Sequence, residues 1–110
     1  MVRPRITFGD GLSVGPGKAD LLRAITRAGS IAGAARSLGM TYKRAWLLVA
    51  TLNKGFCRPL VSRAVGGRGG GGARLTELGE AVLRSYARVE RACQKAAATE
   101  LLAIARLRRR

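Results

Sequence analysis

The sequence predicts a mainly α domain with a small β wing, and three observations carry that prediction. Residues 29–53 hold two short amphipathic helices joined by a tight glycine turn. Residues 60–75 hold two short β-prone runs separated by a glycine-rich segment. From Glu77 to about Leu107 no proline interrupts a helical apolar pattern. Together these are the parts of a winged helix-turn-helix followed by a long C-terminal dimerisation helix. Residues 1–76 would form the winged unit, with a strand arm at 1–15, the helix-turn-helix at 30–53 and the wing at 60–75. Residues 77–110 would form the long helix and its basic tail. A chain of 110 residues suffices for one modest core and not for a second.

In the arm, Arg5-Ile6-Thr7-Phe8 is β-prone, Gly9-Asp10-Gly11 signals a turn, and Leu12-Ser13-Val14 can return as a second strand. A lone hairpin is marginally stable, so one of these strands is expected to join another sheet, with the wing as the available partner. Pro16 fits the first turn of a helix that Gly29 ends, with Ala19, Leu22, Ile25 and either Thr26 or Ala28 facing inward. Lys18, Arg23 and Arg27 point elsewhere, and this helix reads as core support.

The helix-turn-helix begins with Ser30, whose hydroxyl can cap an otherwise unpaired backbone N–H. Ile31, Ala34, Ala35 and Leu38 then line one face. Gly39 can take the positive φ that ends the helix, and Met40 can plug the gap to the next. Thr41 caps the second helix, where Ala45, Leu48, Val49 and Leu52 form the inward stripe and Trp46, close to that stripe, is expected in the core. Thr41, Tyr42, Lys43 and Arg44 crowd its first turn, the position that faces base edges in DNA-binding helix-turn-helix units.

After the connector 54–59, Leu60 to Val65 reads as a strand and Arg74-Leu75 as its return. Between them lie Gly66, Gly67, Arg68, Gly69, Gly70, Gly71 and Gly72, then Ala73. A glycine-rich hairpin tip directly after a recognition helix is a wing, whose bare backbone can approach phosphates while Arg68 reaches a phosphate or the minor groove. A phosphate loop for nucleotides would need Lys followed by Ser or Thr after the last glycine, which Ala73-Arg74 does not supply. A flexible linker and a single Arg-Gly-Gly element for single-stranded nucleic acid are the other readings of the run.

Thr76 can cap the long helix. Its apolar positions, Leu78, Val82, Tyr86, Val89, Cys93, Ala97, Leu101 and Ile104, step by four and three like a heptad seam. A domain this small cannot cover the later turns, so a homodimer through Val82, Tyr86, Val89, Cys93, Ala97, Leu101 and Ile104 is expected.

Charge is distributed unevenly. Residues 1–76 carry 13 basic and 2 acidic side chains, residues 77–105 carry four of each, and residues 106–110 carry four Arg. The helix-turn-helix half is therefore the cationic face that a phosphate-binding surface requires. No long apolar span supports a membrane partner. With no His, few carboxylates and only Cys57 and Cys93 far apart, the chain has no metal site, no expected cofactor and no assembly for acid–base catalysis, so an enzyme is not expected. Both Cys read as small core or interface residues in a reduced, cytoplasmic setting.

On these residues the sequence resembles the N-terminal DNA-binding domain of ModE-type molybdate-responsive regulators, over roughly residues 17 to 97. The resemblance is carried by Gly29-Ser30-Ile31 with Ala34-Ala35, by Tyr42-Lys43 with Ala45-Trp46, and by the glycine run to Ala73 followed by Leu75-Thr76 and Gly79. The first element and the Leu-Thr pair are shared with LysR-type regulators; the Tyr-Lys-x-Ala-Trp run combined with the glycine-rich wing is more particular. The resemblance implies a bacterial-type winged helix-turn-helix dimer on operator DNA near genes for molybdate uptake or molybdenum enzymes. Family members carry molybdate-binding β-barrels further on, so this chain is expected to stand alone with no molybdate site of its own. Arg44 stands where the family often has a smaller polar residue, so the operator read is expected to differ.

The function expected from sequence is sequence-specific duplex DNA binding in transcription regulation. Ser30, Thr41, Tyr42, Lys43, Arg44, Arg68 and Arg74 are the expected DNA-facing residues. The alternatives are a non-specific architectural DNA-binding protein, or a partner that hetero-dimerises with a longer homologue through the shared helix.

Overall fold

The computed structural model describes residues 1–63 and 71–109. In chain order the elements are β1 (Ile6–Thr7), β2 (Ser13–Val14), α1 (Pro16–Ala28), α2 (Ile31–Leu38), α3 (Tyr42–Gly55), β3 (Val61–Arg63), β4 (Ala73–Leu75) and α4 (Glu77–Arg106). Local chemistry sets most of the boundaries. Pro16 opens α1, and Gly29, at φ +72°, closes it by donating its N–H to the Ile25 carbonyl. The Ser30 hydroxyl accepts from the Gly33 N–H at 2.9 Å, Gly39 at φ +68° ends α2, and the Thr41 hydroxyl accepts from the Arg44 N–H at 3.1 Å. Helix α3 runs two residues past Asn53, into the expected connector.

The core is one cluster built around α1, which packs against α2, α3, α4, β2 and β4. Leu21, Leu22, Ile25, Leu52 and Leu60 are fully enclosed, and burying each such side chain contributes about 1.5–3 kcal/mol. The inward face expected for α1 is right at Ala19, Leu22 and Ile25. Leu21 and Ala24 are buried as well, because neighbours on several sides widen the buried arc beyond a single stripe. Thr26 and Ala28 are exposed, since the last turn lies outside those neighbours.

The sheets differ from expectation. Strands β1 and β2 pair only with each other, as do β3 and β4, both antiparallel. The arm therefore does not join the wing. Its support comes from helices: Val14 is buried, the Tyr86 hydroxyl donates to the Pro4 carbonyl at 2.5 Å, Arg3 pairs with Asp20 at 2.5 Å, and the Val2 N–H donates to Gln94 at 2.7 Å. Tertiary packing supplies what a third strand would have supplied.

A second junction ties α3, β3 and α4 together. The Asn53 side chain accepts from the N–H groups of Leu60 (2.8 Å) and Val61 (3.0 Å) and donates to the Val61 carbonyl (3.1 Å). Thr76 donates its N–H to Leu60 and its hydroxyl to Pro59, and its hydroxyl oxygen caps α4 at Gly79. Gly79 lies so close to this strand that a Cβ there would sit 2.1 Å from the Leu60 carbonyl oxygen.

Helix α4 has 30 residues, about 45 Å at 1.5 Å per residue. Its expected seam is divided. Tyr86 is only 2% exposed and belongs to this chain's own core, which removes it from the face open to a partner, and Leu78 and Val82 pack against the same core. Beyond Glu90, which pairs with Arg23 at 2.6 Å, Cys93, Ala97 and Leu101 are half-buried and Ile104 is exposed. Two other expectations are corrected. Trp46 is 44% exposed, because the inward arc of α3 is filled by Ala45, Val49 and Leu52 and the indole lies beside it over β3. Cys57 is exposed on the α3–β3 connection, where no described element covers it.

Candidate nucleic-acid interface

The first turn of α3 is presented to solvent by the packing of the turns that follow it. Ala45, Val49 and Leu52 fix the helix against the core, which leaves Thr41, Tyr42, Lys43 and Arg44 all on the outside. The first turn has no acidic residue. The positive end of the helix dipole thus adds to the charges of Lys43 and Arg44, an arrangement that attracts anions. The ion pairs among the described residues engage Arg3 and Arg23 with Asp20 and Glu90; none involves Lys43, Arg44, Arg63 or Arg74.

The wing's base is anchored from two directions. The Ala73 N–H donates to the Gly29 carbonyl at 2.9 Å, and Ser30 and Gly72 form an isolated antiparallel bridge. Ser30 is half-buried, with its hydroxyl oxygen accepting from Gly33, so it joins α2 to the wing. On β3 and β4 the register sets Ser62 beside Arg74 and Arg63 beside Ala73, and both arginines are exposed. Arg63 reaches across to α3 and donates to the Tyr42 hydroxyl oxygen at 2.8 Å. Tyr42, Arg63, Gly71 and Gly72 thereby wall a cleft of about 150 Å³ against the start of α2.

Of the DNA-facing residues expected from sequence, Thr41, Tyr42, Lys43 and Arg44 are exposed at the start of α3, and Arg74 is exposed on β4, where the register sets it on the opposite face of the hairpin from Arg63. The tip residues Gly66, Gly67, Arg68, Gly69 and Gly70 lie outside the described residues. Arg63 was missed. The available signal was a basic residue in a strand two residues beyond an inward Val61, adjoining the glycine run. Among the described residues no group of His, Cys, Asp and Glu side chains is arranged to hold a metal ion. No described helix is long and apolar enough to cross a membrane.

A capped helix pair, an antiparallel wing and a long following helix define a winged helix-turn-helix domain. Residues 18–80 match the bacterial regulatory helix-turn-helix proteins of the lysR family, and the chain belongs to that family of DNA-binding transcription regulators. The ModE-type resemblance is also found. The chain is 52% identical over 83 residues to the molybdenum-pterin-binding protein MopA of Rhodobacter capsulatus, covering 76% of this chain and 31% of that protein. It is 40% identical over 81 residues to the DNA-binding transcriptional dual regulator ModE of Escherichia coli, covering 74% and 31%. The chain thus spans about a third of the length of these curated relatives. Among solved structures, the DNA-binding domain of CbnR in its DNA complex superposes with a TM-score of 0.63 at 20% identity, covering 80% of this chain and 95% of that one, a likeness of fold. Full-length LysG of Corynebacterium glutamicum superposes with a TM-score of 0.59 at 26% identity, covering 86% and 29%.

Proposed function

We propose that this chain binds operator DNA as a homodimer in the cytoplasm and regulates transcription connected with molybdenum. The observation that carries the reading is the exposed first turn of α3, which bears Lys43 and Arg44 with no acidic residue and is joined to the wing base through the Arg63–Tyr42 hydrogen bond, in a lysR-family domain. Tyr42, Lys43 and Arg44 enter the major groove, Arg74 meets the backbone, and the wing tip with Arg68 reaches toward the adjacent minor groove. The molybdenum link rests on MopA and ModE, the relatives whose names carry it.

The dimer reading rests on α4, and charge favours an antiparallel pair. Centred on Cys93, such a pair sets Val82 opposite Ile104 and Val89 opposite Ala97. It also sets Glu77 and Glu80 opposite Arg109 and Arg106 of a second copy. A parallel pair would oppose like charges at both ends, which destabilises helix pairing.

Selection of bound duplexes from a random pool at near-physiological salt tests the reading, because non-specific phosphate binding is weakened there. An inverted repeat with half-sites about one helical turn apart is the expected result. Binding at low salt with no recovered motif would make the chain a general DNA-coating protein instead.

A further inference from the structure

We propose that Arg63 is a positioning residue for base readout: it biases the Tyr42 phenol toward donating a hydrogen bond, so that Tyr42 selects a base edge bearing an acceptor. The inference rests on the DNA-binding reading and goes beyond it to a residue and a specificity that the fold alone does not give.

A phenol carries one hydrogen and can accept through its lone pairs, so a free tyrosine hydroxyl takes whichever role its neighbour permits. Arg63 biases that choice by occupying one lone pair. Its Nη2 donates to the Tyr42 oxygen at 2.8 Å, and a guanidinium has no acceptor to take the phenolic hydrogen in return. Among the described residues that hydrogen has no other acceptor, and Tyr42 is 48% exposed at the first turn of α3. A charge-assisted bond to the oxygen also polarises the O–H and strengthens it as a donor. Arg63 and Trp46, one turn further along α3, also line one open cavity between α3 and β3, so the Arg63–Tyr42 bond spans the gap between those two elements.

In the major groove, guanine offers N7 and O6, adenine offers N7 and thymine offers O4 as acceptors, whereas cytosine offers the N4 donor. A phenol biased toward donating therefore disfavours cytosine at the base it meets. A flexible phenol would tolerate it.

The test is duplex selection with the whole chain and with Tyr42→Phe, Arg63→Ala, Arg63→Lys and the double variant Tyr42→Phe/Arg63→Ala. The wild-type motif should contain one position per half-site that excludes cytosine. Tyr42→Phe and Arg63→Ala should each relax that same position about 3- to 10-fold, the size of one hydrogen bond. The double variant should relax it no further, and Arg63→Lys, which keeps a donor to the phenol, should restore part of the preference. Thermal unfolding of each variant should match wild type, since Arg63 is exposed. Arg63→Ala that weakens all sequences equally, with a salt slope shallower by about one and the base preference intact, would make Arg63 an independent phosphate contact and overturn the proposal. Failure of the DNA-binding reading is separate and visible beforehand, as a wild-type pool with no motif, and the proposal falls with it.

Discussion

The two halves of α4 share one helical repeat and differ in almost everything it packs against. From Glu77 to Glu90 the helix is part of the winged domain: Gly79 and Tyr86 are buried, Val82 and Leu83 lie on the core, and Glu90 is paired with Arg23. From Arg91 onward the same spacing of apolar residues continues, and past the Val2 contact at Gln94 no covering layer lies on it among the described residues; Leu102, Ile104 and Leu107 are 52%, 61% and 84% exposed. Periodicity states which face of a helix is apolar; it does not state whose core that face enters. Burial in the isolated chain separates intramolecular from intermolecular use of one pattern.

The largest effect that sharpens the contrast is expected at Gly79. Gly79→Ala drives a Cβ into the Leu60 carbonyl oxygen, a backbone atom that cannot swing aside. A loss near the upper end of overpacking effects, about 3 kcal/mol, is expected in denaturant unfolding. In the far half, Leu101→Glu with Ile104→Glu should instead leave monomer unfolding nearly unchanged and abolish the dimer in light scattering at tens of micromolar. A dimer that survived would place the interface elsewhere. In the antiparallel pair the two Cys93 face each other, so mild oxidation should give a covalent dimer, read as a doubled mass that Cys93→Ser removes.

Smaller effects come from the tie between the near half and the arm. Tyr86→Phe loses the bond to the Pro4 carbonyl and should cost about 1 kcal/mol while freeing the arm to faster amide exchange. Burial, reinforced by Glu90, raises the Tyr86 phenol above its ordinary value near 10. The stabilisation by the neutral phenol is accordingly complete below that ordinary value and is lost as pH climbs through the raised one. Tyr86→Phe should remove this alkaline component from the pH–stability curve. Leu107→Ser, at the exposed end, should change monomer stability by no more than about 0.5 kcal/mol.

What was legible in the sequence was chemistry that acts over three or four residues. Ser30, Thr41 and Thr76 cap the helices expected of them, and Gly29 and Gly39 end theirs in left-handed conformations, because each needs only its own neighbours along the chain. The basic first turn of α3 was legible for the same reason. The misreadings share the opposite cause. The arm was assigned to the wing because its ties to Tyr86, Asp20 and Gln94 cross 17 to 92 residues of sequence. Trp46 was placed inside because an angle on a helix does not reveal where the neighbouring strand stops. Arg63 and Asn53 act entirely through partners in other elements, and nothing near them in sequence announces it.

The joint formed by Asn53, Leu60, Thr76 and Gly79 has a consequence for reading distance. It welds the far end of α3, the root of the wing and the root of α4 into one rigid corner. In a dimer built on α4, that corner behaves as the elbow of a pair of callipers. On the proposed dimeric reading, the crossing angle of the two long helices sets the gap between the jaws, and the half-site spacing would be written in residues that never meet DNA.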